Sequence, residues 1–380
     1  MRLLVISHTP HYCRDGQLVG WGPTVRELDV LACLFTELIH IAPLHDGPAP
    51  ASALPYTSAA VRVQTIPPAG GSKFKDKLQI VRLIPRYIQA IQTALADIDV
   101  VHVRCPANIS LLAIVYLALL RQPNMRWTKY AGNWQPEQPD SLSYRFQRWW
   151  LRQGWQGGVV TVNGRWLHQP SHIHTFLNPS LSETEIKIAQ ETLIQKRLTS
   201  PLRLLFVGRL ETAKGIGPVL KITAALEMPV QLDIIGDGAE RIVFEQQAIQ
   251  LGIDDLVTFH GWQPRSTLNR FYEQAHFILL PSLASEGWPK VLSEAIAYGV
   301  VPLASSISAI PQILAEIGSG KTHHAYDVAA FVRSICEYWQ SPEQWKRESQ
   351  IGIQAAHQFT YEAYVHHVQQ LFINLSTTNN

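Results

Sequence analysis

The stretch VGRLETAKG, residues 207–215, sets Gly208 and Arg209 at the end of an apolar run and Lys214 and Gly215 before a segment of helical period. A pair of cations at a strand end, next to a helix whose first N–H groups lack partners, is a physical device for holding phosphate. Further on, IIGDGAER places Gly236 and Gly238 at the next run's end, where the lack of a side chain lets a ligand approach the backbone. In SEGWPKVLSEAIAYG, residues 285–299, Glu286 and Glu294 stand on either side of Gly287, Pro289 and Lys290. Pro281, Gly287 and Pro289 hold back the helix, so Glu286 is expected in a loop and Glu294 on the helix that follows.

Each signal has an ordinary counterpart. Arg209 and Lys214 also read as solvated loop cations, and Lys290 reads as a phosphate ligand at a helix start or as a surface lysine. Asp97 and Asp99 form a carboxylate pair, but they precede a strand where a metal-binding pair should follow one, and the 15 histidines lack zinc spacing, so no metal is expected. In YRFQRWWLRQGW, residues 144–155, Arg145, Arg148 and Arg152 alternate with Phe146, Trp149, Trp150 and Trp155. That pattern suits a helix lying on an anionic membrane surface, or tryptophans packed into a core. Nucleic-acid binding is disfavoured because no dense basic stripe accompanies the aromatics.

The elements that must position these residues follow from composition and periodicity. Hydrophobic residues make up 46% and charged residues 16% of 380, which suits two domains with large buried sheets. Short Val- and Ile-rich runs alternate with helical segments, the pattern of parallel sheets covered by helices. In the first half the strands are RLLVIS, VRVQTI, DVVHVR, MRWTKYA and GGVVTVN. Helical segments there include TVRELDVLACLFTELIH, KLQIVRLIPRYIQAIQTALA and SLLAIVYLALL, while HTPHYCRDGQLVGWGPTVREL is read as the loop between the first strand and the first helix. The pattern lapses across the polar segment 179–201 and restarts with RLLFVG, VQLDIIG, LVTFH, HFILLP and VVPLAS. This predicts two doubly wound α/β domains, 1–180 and 181–355, with ligands at the strands' carboxyl ends, and a last helix over 356–380 packing back on the first. Residues 1–180 carry 17 Lys and Arg against 10 Asp and Glu, and the remainder 15 against 20, so the first half is expected to meet an anionic surface or ligand. The four cysteines show no disulfide or metal spacing, the first residues read as a core strand, and the longest apolar run is too short to span a bilayer; a cytoplasmic location is expected.

The order of motifs between about residues 202 and 305 resembles the family-4 type of retaining glycosyltransferases with the GT-B fold. The resemblance rests on Gly208, Arg209, Lys214 and Gly215, then Gly236 and Gly238, Gly261, Pro281 and Ser282, the E-x7-E pair Glu286 and Glu294, and Gly299 and Pro302. It implies two Rossmann-like domains facing across a cleft, with the nucleoside diphosphate sugar on the second and the acceptor on the first. Arg209 and Lys214 would stabilise the leaving diphosphate without a metal or other cofactor. Glu286 and Gly287 would meet the donor sugar, Glu294 the ribose, and Gly236 and Lys290 the nucleotide. In the first half Gly20 and Gly22 match the family's glycine-rich loop. Arg104 stands where the family has a sugar-contacting His, and Ser308, Ala309 and Gln312 replace a Gly pair and a Glu. The acceptor would be a sugar or a lipid-linked or polysaccharide precursor, with peripheral contact to the inner membrane face. Two alternatives share these features: a sugar-nucleotide epimerase of the same fold, and a non-catalytic membrane-tethered binding protein.

Overall fold

The structure, a computed structural model, describes residues 1–69, 74–120, 122–137, 140–192, 196–284 and 286–378. The chain forms two compact units, Met1–Leu177 with Tyr364–Asn380, and Asn178–Ala363. The sequence reading divides the chain after residues 180 and 355, whereas the contacts divide it after 177 and 363.

The first unit contains β1 (Arg2–Ile6), β2 (His11–Arg14), β3 (Gln17–Trp21), α1 (Gly22–Leu31), β4 (Glu37–Pro43), β5 (Ala53–Pro55), β6 (Val61–Ile66) and α2 (Phe74–Ala94). It continues with β7 (Val100–Cys105), α3 (Asn108–Ala118), β8 (Met125–Tyr130), α4 (Leu142–Arg152), β9 (Val159–Val162) and β10 (Ile173–Thr175). Among the described residues, one parallel sheet has the order β10-β9-β8-β7-β1-β4-β6. Side chains alternate across it: Leu4, Ile6, Ile39, Ile41, Val101 and Val103 pack in one core cluster, and Leu3, Val5, Leu38 and Val100 in the other.

Two expectations are corrected here. The segment TVRELDVLACLFTELIH is not one helix: α1 stops at Leu31 and Glu37–Pro43 is strand β4, pairing with β1 on one side and β6 on the other. A strand buried on both faces is a continuous apolar run, which periodicity alone cannot separate from a buried helix. The expected loop 8–28 contains a hairpin, with β2 and β3 antiparallel around Asp15 and Gly16, whose φ values of 50° and 75° suit a tight hairpin turn, and its last residues begin α1.

The second unit runs α5 (Glu183–Thr192), β11 (Leu202–Val207), α6 (Ile216–Ala224), β12 (Val230–Ile235), α7 (Arg241–Gln250), β13 (Val257–Gly261), α8 (Arg265–Gln274) and β14 (Phe277–Leu280). It goes on through α9 (Lys290–Ala297), β15 (Val301–Ser305), α10 (Ile310–Ile317), β16 (Lys321–His323), α11 (Val328–Gln340) and α12 (Pro342–Ala355). Its described strands form a parallel sheet in the order β13-β12-β11-β14-β15-β16. The polar segment 179–201 is not without structure, because Ser182 and Glu185 exchange hydrogen bonds as a capping box that starts α5. The last helix, α13 (Tyr361–Thr378), gives Tyr364, Val368, Leu371 and Phe372 to the first unit's core. Each such buried side chain contributes roughly 1.5–3 kcal/mol, which is why this segment belongs to the first unit.

Candidate active site

In the second unit the loops that leave β11, β12 and β14 are joined backbone to backbone. Gly215 has a φ of 85° and caps α6; a Cβ there would lie 2.1 Å from the Pro281 carbonyl oxygen at the end of β14. Gly236, at φ 133°, would place one 1.8 Å from the Gly208 oxygen. Both glycines are therefore required by neighbouring backbone, and the Gly236 N–H is donated to Gly261. The Ala213 carbonyl accepts from the Leu283 N–H at 2.8 Å and from the Ser282 hydroxyl at 3.1 Å, which ties the loop of Lys214 to the loop of Glu286.

On this frame Lys214 Nζ forms an ion pair with Glu286 Oε1. Arg209 is 72% exposed and pairs loosely with Glu211 at 3.1 Å. Helix α9 begins at Lys290 with Pro289 as its cap, so Glu286 precedes the helix and Glu294 lies in its second turn. Glu294 is 8% exposed; its Oε1 accepts from Arg265 Nη1 at 2.8 Å and its Oε2 from the Tyr272 hydroxyl at 3.0 Å. Lys290 lies over the Tyr361 ring, 6.0 Å from its centre. The Gly287 carbonyl accepts from the Ser308 hydroxyl at 3.1 Å, and Ser308 itself takes the left-handed φ of 55°.

The structure brings Lys214, Glu286 and Gly287 onto adjoining loops beside Ser308, and adds Arg265 and Tyr272, which the sequence reading did not single out. Arg265 also donates to Glu185 and to the Ser180 carbonyl. Burial opposes its charge, but Glu294 and then Glu185 overcome that, and its pKa is held above the ordinary value. Lys196 donates to the Tyr272 and Tyr298 carbonyls at 2.8 and 2.7 Å, and burial brings its pKa down to about 7.

In the first unit Arg104 is one member of a buried cluster. Its Nη1 is 2.6 Å from the buried Glu27, which also takes Lys129 Nζ at 2.7 Å and the Tyr364 hydroxyl at 3.1 Å. His102 stacks on Trp127 with ring centres 3.7 Å apart, and burial, then Arg104 and Lys129, push its pKa well down. The glycines matched to the family's loop are filled by this chain's own atoms. A Cβ on Gly20 would meet the His11 ring at 2.6 Å, and one on Gly22 the Ser52 oxygen, which already accepts the Gly22 N–H. Asp99 and Asp97 lie before β7 beside Arg2, and among the described residues no group of three or more His, Cys, Asp or Glu is placed to hold a metal.

The aromatic segment is α4 and its exit. Arg148 is corrected as a surface cation: it is buried, with its two terminal nitrogens 2.6 and 2.7 Å from Asp140 and a further bond to the Tyr130 hydroxyl. Arg145 and Arg152 are exposed, while Trp149 and Trp155 are 46% and 48% exposed and stack edge to face. No helix among the described residues is long and apolar enough to cross a membrane.

Comparison with known proteins bears on the family and the fold. Residues 190–358 match the family described as glycosyl transferases group 1. An amylovoran biosynthesis glycosyltransferase of Erwinia amylovora is 30% identical over 135 residues, which is 33% of each chain. A lipopolysaccharide 1,6-galactosyltransferase of Escherichia coli is 27% identical over 139 residues, 35% of this chain and 38% of the relative. The matches therefore span only about a third of the length of these curated relatives. Among solved structures, a sucrose-phosphate synthase from Thermosynechococcus elongatus covers 100% of both chains with a TM-score of 0.73 at 19% identity. A lipopolysaccharide outer core galactosyltransferase, WaaB, covers 100% of both at 0.66 and 17%. The two α/β units have the GT-B fold, and residues 190–358 are similar to the glycosyl transferases group 1 family.

Proposed function

We propose that the chain is a retaining glycosyltransferase of the E-x7-E type that moves a sugar from a nucleoside diphosphate onto an acceptor. The observation that carries this reading is the Lys214–Glu286 pair held on loops stitched together at Ala213, beside the start of α6. On donor binding, Lys214 turns from Glu286 to the diphosphate and Glu286 takes sugar hydroxyls. Lys214, Arg209 and the first turn of α6 meet the charge that grows on the leaving group, and no metal or other cofactor is part of this reading. Glu294 accepts from the ribose, and the acceptor attacks on the face from which the phosphate leaves.

Arg104 acts through Glu27 in this reading, shaping the first unit rather than touching sugar. A structural neighbour, HepE of Anabaena, is described in complex with UDP and glucose, so uridine nucleotides head the panel of donors. The relatives' roles in amylovoran and lipopolysaccharide synthesis favour a polysaccharide or lipid-linked acceptor on the cytoplasmic membrane face. Arg145 and Arg152 flanking Trp149 and Trp155 fit such a surface, at about 1 kcal/mol for each arginine near anionic lipid. Replacing both arginines by Gln should lower sedimentation with anionic vesicles and leave the protein folded; unchanged sedimentation would remove the docking reading.

The central test is thermal unfolding with UDP, GDP and ADP sugars, followed by analysis of the product's anomeric configuration. A ligand that binds only the folded chain raises its melting temperature. Absence of any shift and of any transfer across the panel would overturn the enzyme assignment, and inverted product would overturn retention.

A further inference from the structure

We propose that Arg265 and Tyr272 are positioning residues that set the plane of the Glu294 carboxylate, so that both of its oxygens present one remaining acceptor site to the ribose diol. This rests on the assignment of Glu294 to the ribose. A carboxylate has about four lone-pair sites on two oxygens. Arg265 donates to Oε1 and Tyr272 to Oε2, one donor on each oxygen, and these two bonds fix both the tilt and the rotation of the group. One site then remains on each oxygen in a shared plane, which is what a vicinal diol requires.

The two donors are themselves firmly held. Arg265 is the first residue of α8, and its remaining nitrogens bind Glu185 and the Ser180 carbonyl. Glu185 is fixed in turn by the capping box at the start of α5. Tyr272 is buried; its own carbonyl accepts from Lys196, and its ring stacks on Tyr298 with centres 5.8 Å apart. Three helices, α5, α8 and α9, therefore converge on one carboxylate. A helix-surface glutamate with only a packing role would not need separate donors on its two oxygens.

The experiment measures dissociation constants of UDP, GDP and ADP and of their 2′-deoxy counterparts. The proteins are the wild type, Glu294→Gln, Arg265→Gln, Tyr272→Phe and the double variant Arg265→Gln with Glu294→Gln. The wild type should prefer the ribonucleotide that binds best over its deoxy form by about tenfold, the value of a charged hydrogen bond. Tyr272→Phe and Arg265→Gln should each narrow that ratio roughly threefold or more, with the deoxy affinity nearly unchanged. In the Glu294→Gln background, Arg265→Gln should narrow it no further, because the two act as one unit. If Arg265→Gln fails to fold, Tyr272→Phe, which removes only one hydroxyl, decides alone. A ratio unchanged in Tyr272→Phe and in folded Arg265→Gln, while Glu294→Gln lowers it, overturns the positioning role and leaves the ribose assignment standing. A ratio unchanged in Glu294→Gln, or no binding of any of the three nucleotides, overturns the ribose assignment itself.

Discussion

Lys214 and Glu286 are 72 residues apart in the chain and are joined as an ion pair in the second unit. The lysine is largely covered while the glutamate remains partly exposed, so the pair holds the cation in place beside the loop that its partner occupies. In the proposed reaction each group would exchange the other for a ligand, and the kinetic consequences would differ for the two partners.

Lys214→Ala is expected to lower kcat by about 10²- to 10³-fold, the usual cost of removing one donor to developing charge. Arg209→Ala should lose turnover in the same way with stability changed by less than about 0.5 kcal/mol, since the side chain is exposed. Steady-state kinetics with urea unfolding of the same preparations separates the two effects. Normal turnover in both variants would end the phosphate-clamp assignment.

Glu286→Gln should depress turnover while the free nucleoside diphosphate binds as well as before or a few-fold more tightly. The carboxylate that competes for Lys214 is gone, whereas the nucleotide's other contacts remain. Calorimetric titration reads this directly. A tenfold weaker complex would show that Glu286 holds the nucleotide and not the sugar.

Ser308 combines a left-handed φ with a hydrogen bond to the Gly287 carbonyl. Ser308→Ala keeps the unfavourable backbone and loses the bond, so it should cost about 1–2 kcal/mol. Ser308→Gly loses the same bond but relieves the backbone, and should cost less than the alanine change. Urea midpoints of the two variants give the order. Alanine proving the milder change would mean that the backbone at 308 is not strained.

Much of the second unit is readable from local signals. Pro289 and Gly287 hold α9 back past Glu286, and strands such as β11 and β14 are short apolar runs with turn residues behind them. What escapes is pairing over distance. Arg265 meets Glu294 across 29 residues and Arg104 meets Glu27 across 77, and neither contact leaves a spacing that a window of sequence can detect. Arg148 escapes for a different reason: its basic-aromatic context suggests a surface, although its partner Asp140 lies just before the same helix. Strand β4 was hidden for another reason: a strand buried on both faces has no alternation to distinguish it from a helix. Gly22 and Gly236 are glycines by necessity, but their crowding against Ser52 and Gly208 is visible only once the loops are folded.

Stability should fall as pH drops through the histidine range. Burial lowers His276 from 6.5 to about 4, and it holds His40 and His102 well below 6.5. A folded-state pKa below the unfolded one means that the unfolded chain binds more protons below about pH 6.5, so stability present above that pH is lost as pH falls toward the folded value. Each histidine kept neutral contributes a slope of about 1.4 kcal/mol per pH unit. Urea midpoints at pH 7, 6 and 5 test the sign, and His276→Gln should remove one such share. A flat profile across this range would show that these rings are not held neutral.

The Glu27 cluster makes an asymmetric prediction about Arg104. Glu27 is buried and is shared by Arg104, Lys129 and Tyr364, with two cations on one carboxylate. Removing the acid takes away the charge that both cations share, so Glu27→Gln should cost about 3–5 kcal/mol, the range for breaking a buried ion pair from one side. Arg104→Met removes one cation but leaves Glu27 paired with Lys129 and hydrogen-bonded to Tyr364, so no buried charge is left uncompensated. Its cost should be well below that of the glutamate change. Turnover of folded Arg104→Met, measured under saturating donor, then separates the two roles of the arginine. A residue that only shapes the first unit leaves kcat within a few-fold of the wild type, whereas one that touches the sugar lowers kcat by about 10²-fold or more with the fold intact. Equal stability losses in Glu27→Gln and Arg104→Met would overturn this asymmetry and show that Lys129 and Tyr364 do not keep Glu27 satisfied without the arginine.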